Sequence, residues 1–456
     1  MSATTFTRRD ALLGGSRLLA AGAGLSMFRD LHAMQLSSTA AASPAAPYKA
    51  LVCVYLSGGN DSFNLLVPTS AADHGAYMAS RGNLGITADQ LLPINPINPQ
   101  GRAFGLHPSV PELRDMFEAG SLAFVVNAGT LMAPISKAAY RANSAAKPAQ
   151  LFSHSDQTQQ WESQSAAADT PHGWAGRASD LLVSLNNGSP LSPAISLAGS
   201  TRLLRGQTVA PYALGTGGSV QLSGFSGTRG QRRLATFQQL LQKRNVHMME
   251  TEFADLQAQA MELDTLIRGA LGTAPPLQTA FPTTSIGRQL KMVAQMIGLR
   301  DTLGVARQVF YVRLGGFDTH ADQLAFHAQL LSQLAIALKA FADAMAELGT
   351  SSAVTTFTAS EFGRTLSSNG SGSDHGWGGN QMVIGGAVRG RDLYGTWPSL
   401  ILDSDDDVGR GRLIPTTAVE QVCATLASWF GVNPSDLPTL FPRLSEFASS
   451  DLGFMS

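Results

Sequence analysis

ALVCVYLSGGNDSFN, residues 50–64, decides how this chain is read: an apolar run with the look of a buried strand leads straight into two glycines and a carboxylate, Asp61. Apolar residues in unbroken succession, rather than in alternation, mark a strand covered on both faces, as in a parallel sheet. In open α/β sheets ligands gather beyond the carboxyl ends of the strands, so Asp61 stands where a ligand would be held. It could equally do no more than close the turn after Gly58 and Gly59. The other strand ends bear on that choice.

Further runs of the same kind follow: LAFVVN (122–127), RQVFYVRL (307–314), AVTTFTA (353–359) and QMVIGGAV (381–388), all expected to be buried parallel strands. SVPELRDMFEAG (109–120) reads as a helix stopped by glycine, and TTAVEQVCATLASWFG (416–431) as the closing helix. Alternating strands and helices predict an α/β layered fold with a mostly parallel central sheet. Residues 188–230, rich in Gly, Ser and Pro, are expected to be loops with a small hairpin, and the stretch from Gln231 to Arg268, free of Gly and Pro, one long helix or two abutting ones. Together they predict a loop and helical insertion over about 188–305, within a single domain spanning 47–456. Leu324, His327, Leu331, Leu334, Leu338, Phe341, Met345 and Leu348 form one apolar helical stripe, which makes His327 a core histidine; His247 in the long helical stretch is read the same way.

Charge excludes some partners. The 32 basic and 33 acidic residues nearly cancel, so no global field favours nucleic acid or an anionic membrane. Cys53 and Cys423 lie among apolar neighbours and are expected to be buried thiols.

Four strand ends carry groups able to do chemistry: Asp61 in GGNDSFN; Asp318 and His320 in GGFDTHADQ; Glu361 and Arg364 in SEFGRT; and Asp374 and His375 in the glycine-rich SSNGSGSDHGWGGN. Each alone could be a turn or cap residue. Together, carboxylates and imidazoles converging on one sheet edge are a ligand set for Zn, Mn or another divalent ion, whereas calcium prefers oxygen alone. The Gly-Gly before Asp318 makes the bend that both Asp318 and His320 need easy. SHSDQTQQWES (153–163) would open a helix, where a hydroxyl of Ser153, Ser155 or Thr158 can serve as cap or nucleophile. His154, His172 and Trp174 are candidates to line the pocket.

The order of these motifs is similar to that of the alkaline phosphatase superfamily, including sulfatases. LVCVYLSGGNDSFNLLVP, LHPSVPELRDMFEAGSLAFVVNAG, SHSDQTQQWES, LGGFDTHADQ and TASEFGRT with DHGWGG more closely resemble a bacterial family of exported, sulfatase-like proteins without a settled reaction. The resemblance implies metal positions at Asp61, Asp318, His320 and His375, and a phosphate or sulfate ester as substrate. Arg364 would then pair with substrate oxygens. Where the superfamily has Asp-His, this chain has Glu361-Phe362, which points to one metal, or none, rather than two. An eroded, non-catalytic binding module is the alternative.

Two more resemblances concern short segments. TRRDALLGGSRLLAAGAGLSMF (7–28), with Arg8 and Arg9 ahead of a weakly apolar stretch, resembles a twin-arginine export signal, followed by a linker to residue 46. This implies passage through the twin-arginine translocase to a periplasmic or extracellular location, with no stable membrane span in the mature chain. The S-G-G-x-D-S match at 57–62 also resembles the pyrophosphate loop of ATP pyrophosphatases. That loop should open an amphipathic helix, whereas FNLLVP is short, apolar and stopped by Pro68.

Overall fold

Strand β1 (Lys49–Ser57) sits at the centre of the molecule because every residue between its two ends is buried. Leu51, Cys53 and Tyr55 face one apolar layer and Ala50, Val52, Val54 and Leu56 the other. That period-two division places helices on both faces of the sheet. The computed structural model describes residues 46–165, 170–218, 225, 227–242 and 248–456; the export-signal stretch and His247 lie outside the described residues.

Among the described residues, the main sheet has nine strands in the order β13-β5-β12-β9-β1-β8-β6-β7, with β14 also paired to β5. These are β5 (Leu122–Gly129), β6 (Ala194–Ser196), β7 (Tyr212–Ala213), β8 (Arg307–Gly315), β9 (Val354–Ala359), β12 (Gly379–Ile384), β13 (Leu393–Tyr394) and β14 (Thr417–Ala418). A three-stranded sheet is built from β2 (Leu66–Pro68), β3 (Leu92–Ile94) and β4 (Phe104–Leu106), and a two-stranded one from β10 (Arg364–Ser368) and β11 (Ser373–His375). The result is a mixed α/β fold with a mostly parallel central sheet, as expected.

Two expectations are corrected. QMVIGGAV was expected to be parallel, but β12 is antiparallel to both β5 and β9. Its continuous apolar run reports burial on both faces, and that pattern is the same in either direction. The hairpin expected in 188–230 is instead the parallel pair β6–β7, which extends the central sheet beyond β8. The stretch from 231 resolves into two helices, Gly227–Leu241 and Met248–Thr273.

Helix Gln323–Glu347 packs against helices Ser285–Gly298 and Pro111–Glu118, with Leu331, Leu334, Leu338, Phe341 and Met345 buried as the stripe predicts and Leu324 exposed in its first turn. By length and composition it is also apolar enough to cross a membrane. Cys53 and Cys423 are free buried thiols whose ionisation burial pushes up.

His327 is enclosed and lies 3.0 Å from the Asn60 side-chain oxygen through Nε2. Burial lowers its pKa from 6.5 to about 3, and that of its neighbour His107 from 6.5 to about 4. Below pH 6.5 the unfolded chain therefore binds protons that the folded one refuses. Their contribution to stability is complete above that pH and is lost as pH falls toward 4 and 3. Each group should steepen acid destabilisation by about 1.4 kcal/mol per pH unit. Urea unfolding between pH 6 and pH 5 should accordingly show a shallower loss in His327→Gln; an unchanged slope would refute the assignment.

Candidate metal centre

The carboxyl ends of β8, β1 and β9 lie side by side, so the loops that follow them must share one edge of the sheet. Gly58 makes that crowding possible. Its φ of 123° is open only to glycine in practice, and a Cβ there would fall 2.2 Å from the Asp318 nitrogen. Its N–H donates to Glu361 Oε1 (2.9 Å), and its carbonyl accepts from Arg364 Nη1 (3.0 Å). Arg364 and His375 stand opposite each other in the β10–β11 pair. The helix His154–Ser163 begins at the same place, with His154 as its first residue.

Asp318 is the focus. His320 Nε2 lies 2.9 Å and His375 Nε2 3.2 Å from its Oδ1, His154 Nε2 lies 3.5 Å from its Oδ2, and the Nε2 atoms of His320 and His375 are 3.2 Å apart. His154, Asp318 and His375 each offer a ligand atom within 4.8 Å of the others. The other ring nitrogen of every histidine meets an acceptor: His375 Nδ1 the Phe152 carbonyl (2.7 Å), His154 Nδ1 the buried Glu361 carboxylate (2.8 Å), and His320 Nδ1 the Asp374 carboxylate (3.3 Å). An acceptor fixes the proton of a neutral ring on Nδ1 and leaves Nε2 with a bare lone pair. Burial lowers the pKa of His375, which keeps that ring neutral at neutral pH. Burial works against the charge on Asp318, but the Arg364 hydrogen bond and charge outweigh it and hold the carboxyl below its usual range.

In that tautomer the Nε2 lone pairs and the carboxylate repel one another unless positive charge, an ion or a proton, lies between them. The separations from Asp318 of 3.2 Å to His375 and 3.5 Å to His154 are close to those of a coordination shell, since ligands about 2.0–2.1 Å from a tetrahedral ion stand about 3.3 Å apart. The donor set fits a divalent ion of the Zn or Mn kind, and His154, Asp318 and His375 can hold one, with His320 in reach.

The structure brings together Asp318, His320 and His375, and adds His154, which the sequence marked only as a pocket residue. Phe362, next to Glu361, packs its ring against both His154 and His375. Sequence alone held one hint of this, a histidine at the first position of the helix entering the site.

Three expected roles are corrected. Asp61 does not join the cluster: its buried carboxylate is paired with Arg81 and accepts from Gln323. Glu361 holds His154 from behind rather than serving in the cluster, a carboxylate–histidine arrangement that orients a ligand ring. Arg364 is enclosed, with donors directed at Asp318 (2.7 Å), Gly58 and Ser373, so it supports Asp318. Of the hydroxyl candidates, Ser153 and Ser155 donate to Asp156 Oδ2 (2.6 and 3.1 Å), and Thr158 pairs with the Tyr55 hydroxyl (2.6 Å). His172 bonds to the Gly206 carbonyl, and Trp174 is core, against Phe357 and Phe441. Replacing Glu361 by alanine should weaken ion binding by about 10–100-fold, measured by competition with a chromogenic chelator. Unchanged affinity would remove Glu361 from the site.

Known structures show distant likenesses. The lipoteichoic acid synthase LtaP from Listeria monocytogenes shares 8% identity over 90% of this chain and 79% of its own, with a TM-score of 0.37. The PsFucS1 sulfatase from Pseudoalteromonas sp. shares 11% over 90% and 71%, at 0.35. The C-terminal periplasmic domain of EcEptC from Escherichia coli, in complex with Zn, shares 11% over 86% and 87%, at 0.31. At such scores these likenesses decide neither fold nor activity. No curated protein matches the sequence. The family model described as "Protein of unknown function (DUF1501)" matches residues 48–438, and the chain belongs to that family.

Proposed function

We propose that this is an exported, metal-dependent hydrolase or transferase acting on a phosphate or sulfate ester. The observation that carries the reading is the convergence of three Nε2 atoms on Asp318, with the Nδ1 of each ring against its own acceptor. His154, Asp318 and His375 would hold the ion, with His320 as a further ligand. A bound divalent ion would polarise the ester and favour attack by a hydroxyl or water. The protein's own part is to hold the rings aimed, through Glu361, Asp374 and the Phe152 carbonyl. Arg364 meanwhile keeps Asp318 ionised. The twin-arginine-like stretch supports export through the translocase, with any ion loaded in the folded protein before passage.

A second reading, a sulfatase-like fold kept as a binding module, has its own support. The three hydroxyl candidates are engaged within the protein, and the carboxylate expected at the first metal position is neutralised by Arg81. Metal analysis of the mature protein, with assays on aryl phosphates and aryl sulfates, separates the two. Stoichiometric ion with turnover supports the enzyme; a folded, ion-free and inert protein supports the module.

A further inference from the structure

An ester carrying phosphate or sulfate needs cationic contacts, and Arg364 is enclosed and already committed. Asp318 and Asp374 add negative charge beside the histidines. We propose that Arg410 and Arg412 form the anion-holding edge of this site and engage the charged group of the ester. This rests on the function proposed above.

Both arginines come from one loop, which is fastened from within. Asp407 is wholly buried; its Oδ1 accepts from the Gly409 and Gly411 nitrogens (2.6 and 2.9 Å) and its Oδ2 from the Asp403 nitrogen (2.9 Å). The backbone then takes three successive positive φ values, 131° at Gly409, 63° at Arg410 and 74° at Gly411. Gly411 is required, because a Cβ there would lie 2.4 Å from the Leu366 Cβ. Arg410 is different: nothing about the turn calls for a side chain, and a left-handed conformation disfavours one.

The placement of the two groups supports the proposal. Arg410, 53% exposed, sets Nη2 2.6 Å from Asp374 Oδ2, and the other oxygen of Asp374 faces His320 Nδ1. Arg412 donates through Nε to the His375 carbonyl (3.0 Å), and its guanidinium lies 4.7 Å over the Phe152 ring. The cluster thus has a guanidinium next to the support of His320 and another next to that of His375. A planar fork with spare N–H groups matches the oxygens of phosphate and sulfate.

The test is calorimetric titration of the metal-loaded full chain with inorganic phosphate and with inorganic sulfate, comparing wild type, Arg410→Gly and Arg412→Gln, with ion content measured for each. Arg410→Gly is the decisive variant, since glycine suits the backbone there and folding should not suffer. Affinity for at least one anion should fall by about tenfold or more, in keeping with loss of a charge-assisted hydrogen bond, while ion content stays the same. Equal anion affinity in Arg410→Gly and wild type, or no anion binding by wild type, would overturn the proposal and leave the metal reading intact. Arg410-dependent anion binding by a protein that takes up no divalent ion would instead sink the metal reading and keep the edge.

Discussion

Replacing His375 or His154 by glutamine is expected to abolish stoichiometric metal, weakening divalent-ion binding by roughly 1,000-fold, beyond the 10–100-fold typical when an outer partner is lost. Both rings present Nε2 toward Asp318, and both have Nδ1 committed elsewhere, so neither can be replaced by turning another nitrogen inward. Glutamine keeps a polar side chain of similar reach but offers a weak amide oxygen in place of the imidazole lone pair. Removing His375 also relieves the crowding with His320, so the variant should fold at least as well as wild type when no ion is present. Elemental analysis with circular dichroism reads both effects. Variants that fold and still carry one ion per chain would end the proposal for this centre.

The second large effect concerns stability. Arg81→Ala should cost about 3–5 kcal/mol, because it leaves the Asp61 carboxylate without its counter-ion in a fully buried position. The Arg81 guanidinium also donates to the carbonyls of Thr365 and Leu366, which ties the helix Ala71–Arg81 to strand β10. Asp61→Asn should be destabilising for the mirror-image reason, and the double variant Asp61→Asn/Arg81→Met should recover part of the loss. Ion content should not change in any folded member of this series, since Asp61 lies outside the cluster. Urea unfolding read against metal analysis tests both statements. If Asp61→Asn kept full stability but lost its ion, Asp61 would be a ligand after all.

Asp61 shows where sequence reasoning meets its limit. Its position after a buried strand and a glycine pair is legible, and so is the sheet edge on which it lies. Its partner is not: Arg81 stands twenty residues on, at the end of a helix, with nothing in the spacing to link the two. Glu361 is similar. The residue was found, but whether its carboxylate meets an ion or the back of an imidazole depends on where His154 arrives from a distant helix. His320 and His375 are legible because each lies within a few residues of a strand whose end defines the edge.

The sequence by itself determined the buried strands, the glycine-led turns at their ends, the core stripe of the Gln323–Glu347 helix and the identity of most of the residues that face the site. These follow from local pattern, because burial and backbone freedom are set residue by residue along the chain. Only the tertiary structure decided that β12 runs against its neighbours, that Arg81 claims Asp61, and that His154 completes the cluster around Asp318. An apolar run reads alike in both directions, and charge pairing or coordination is a matter of distances between side chains that sequence separation does not encode.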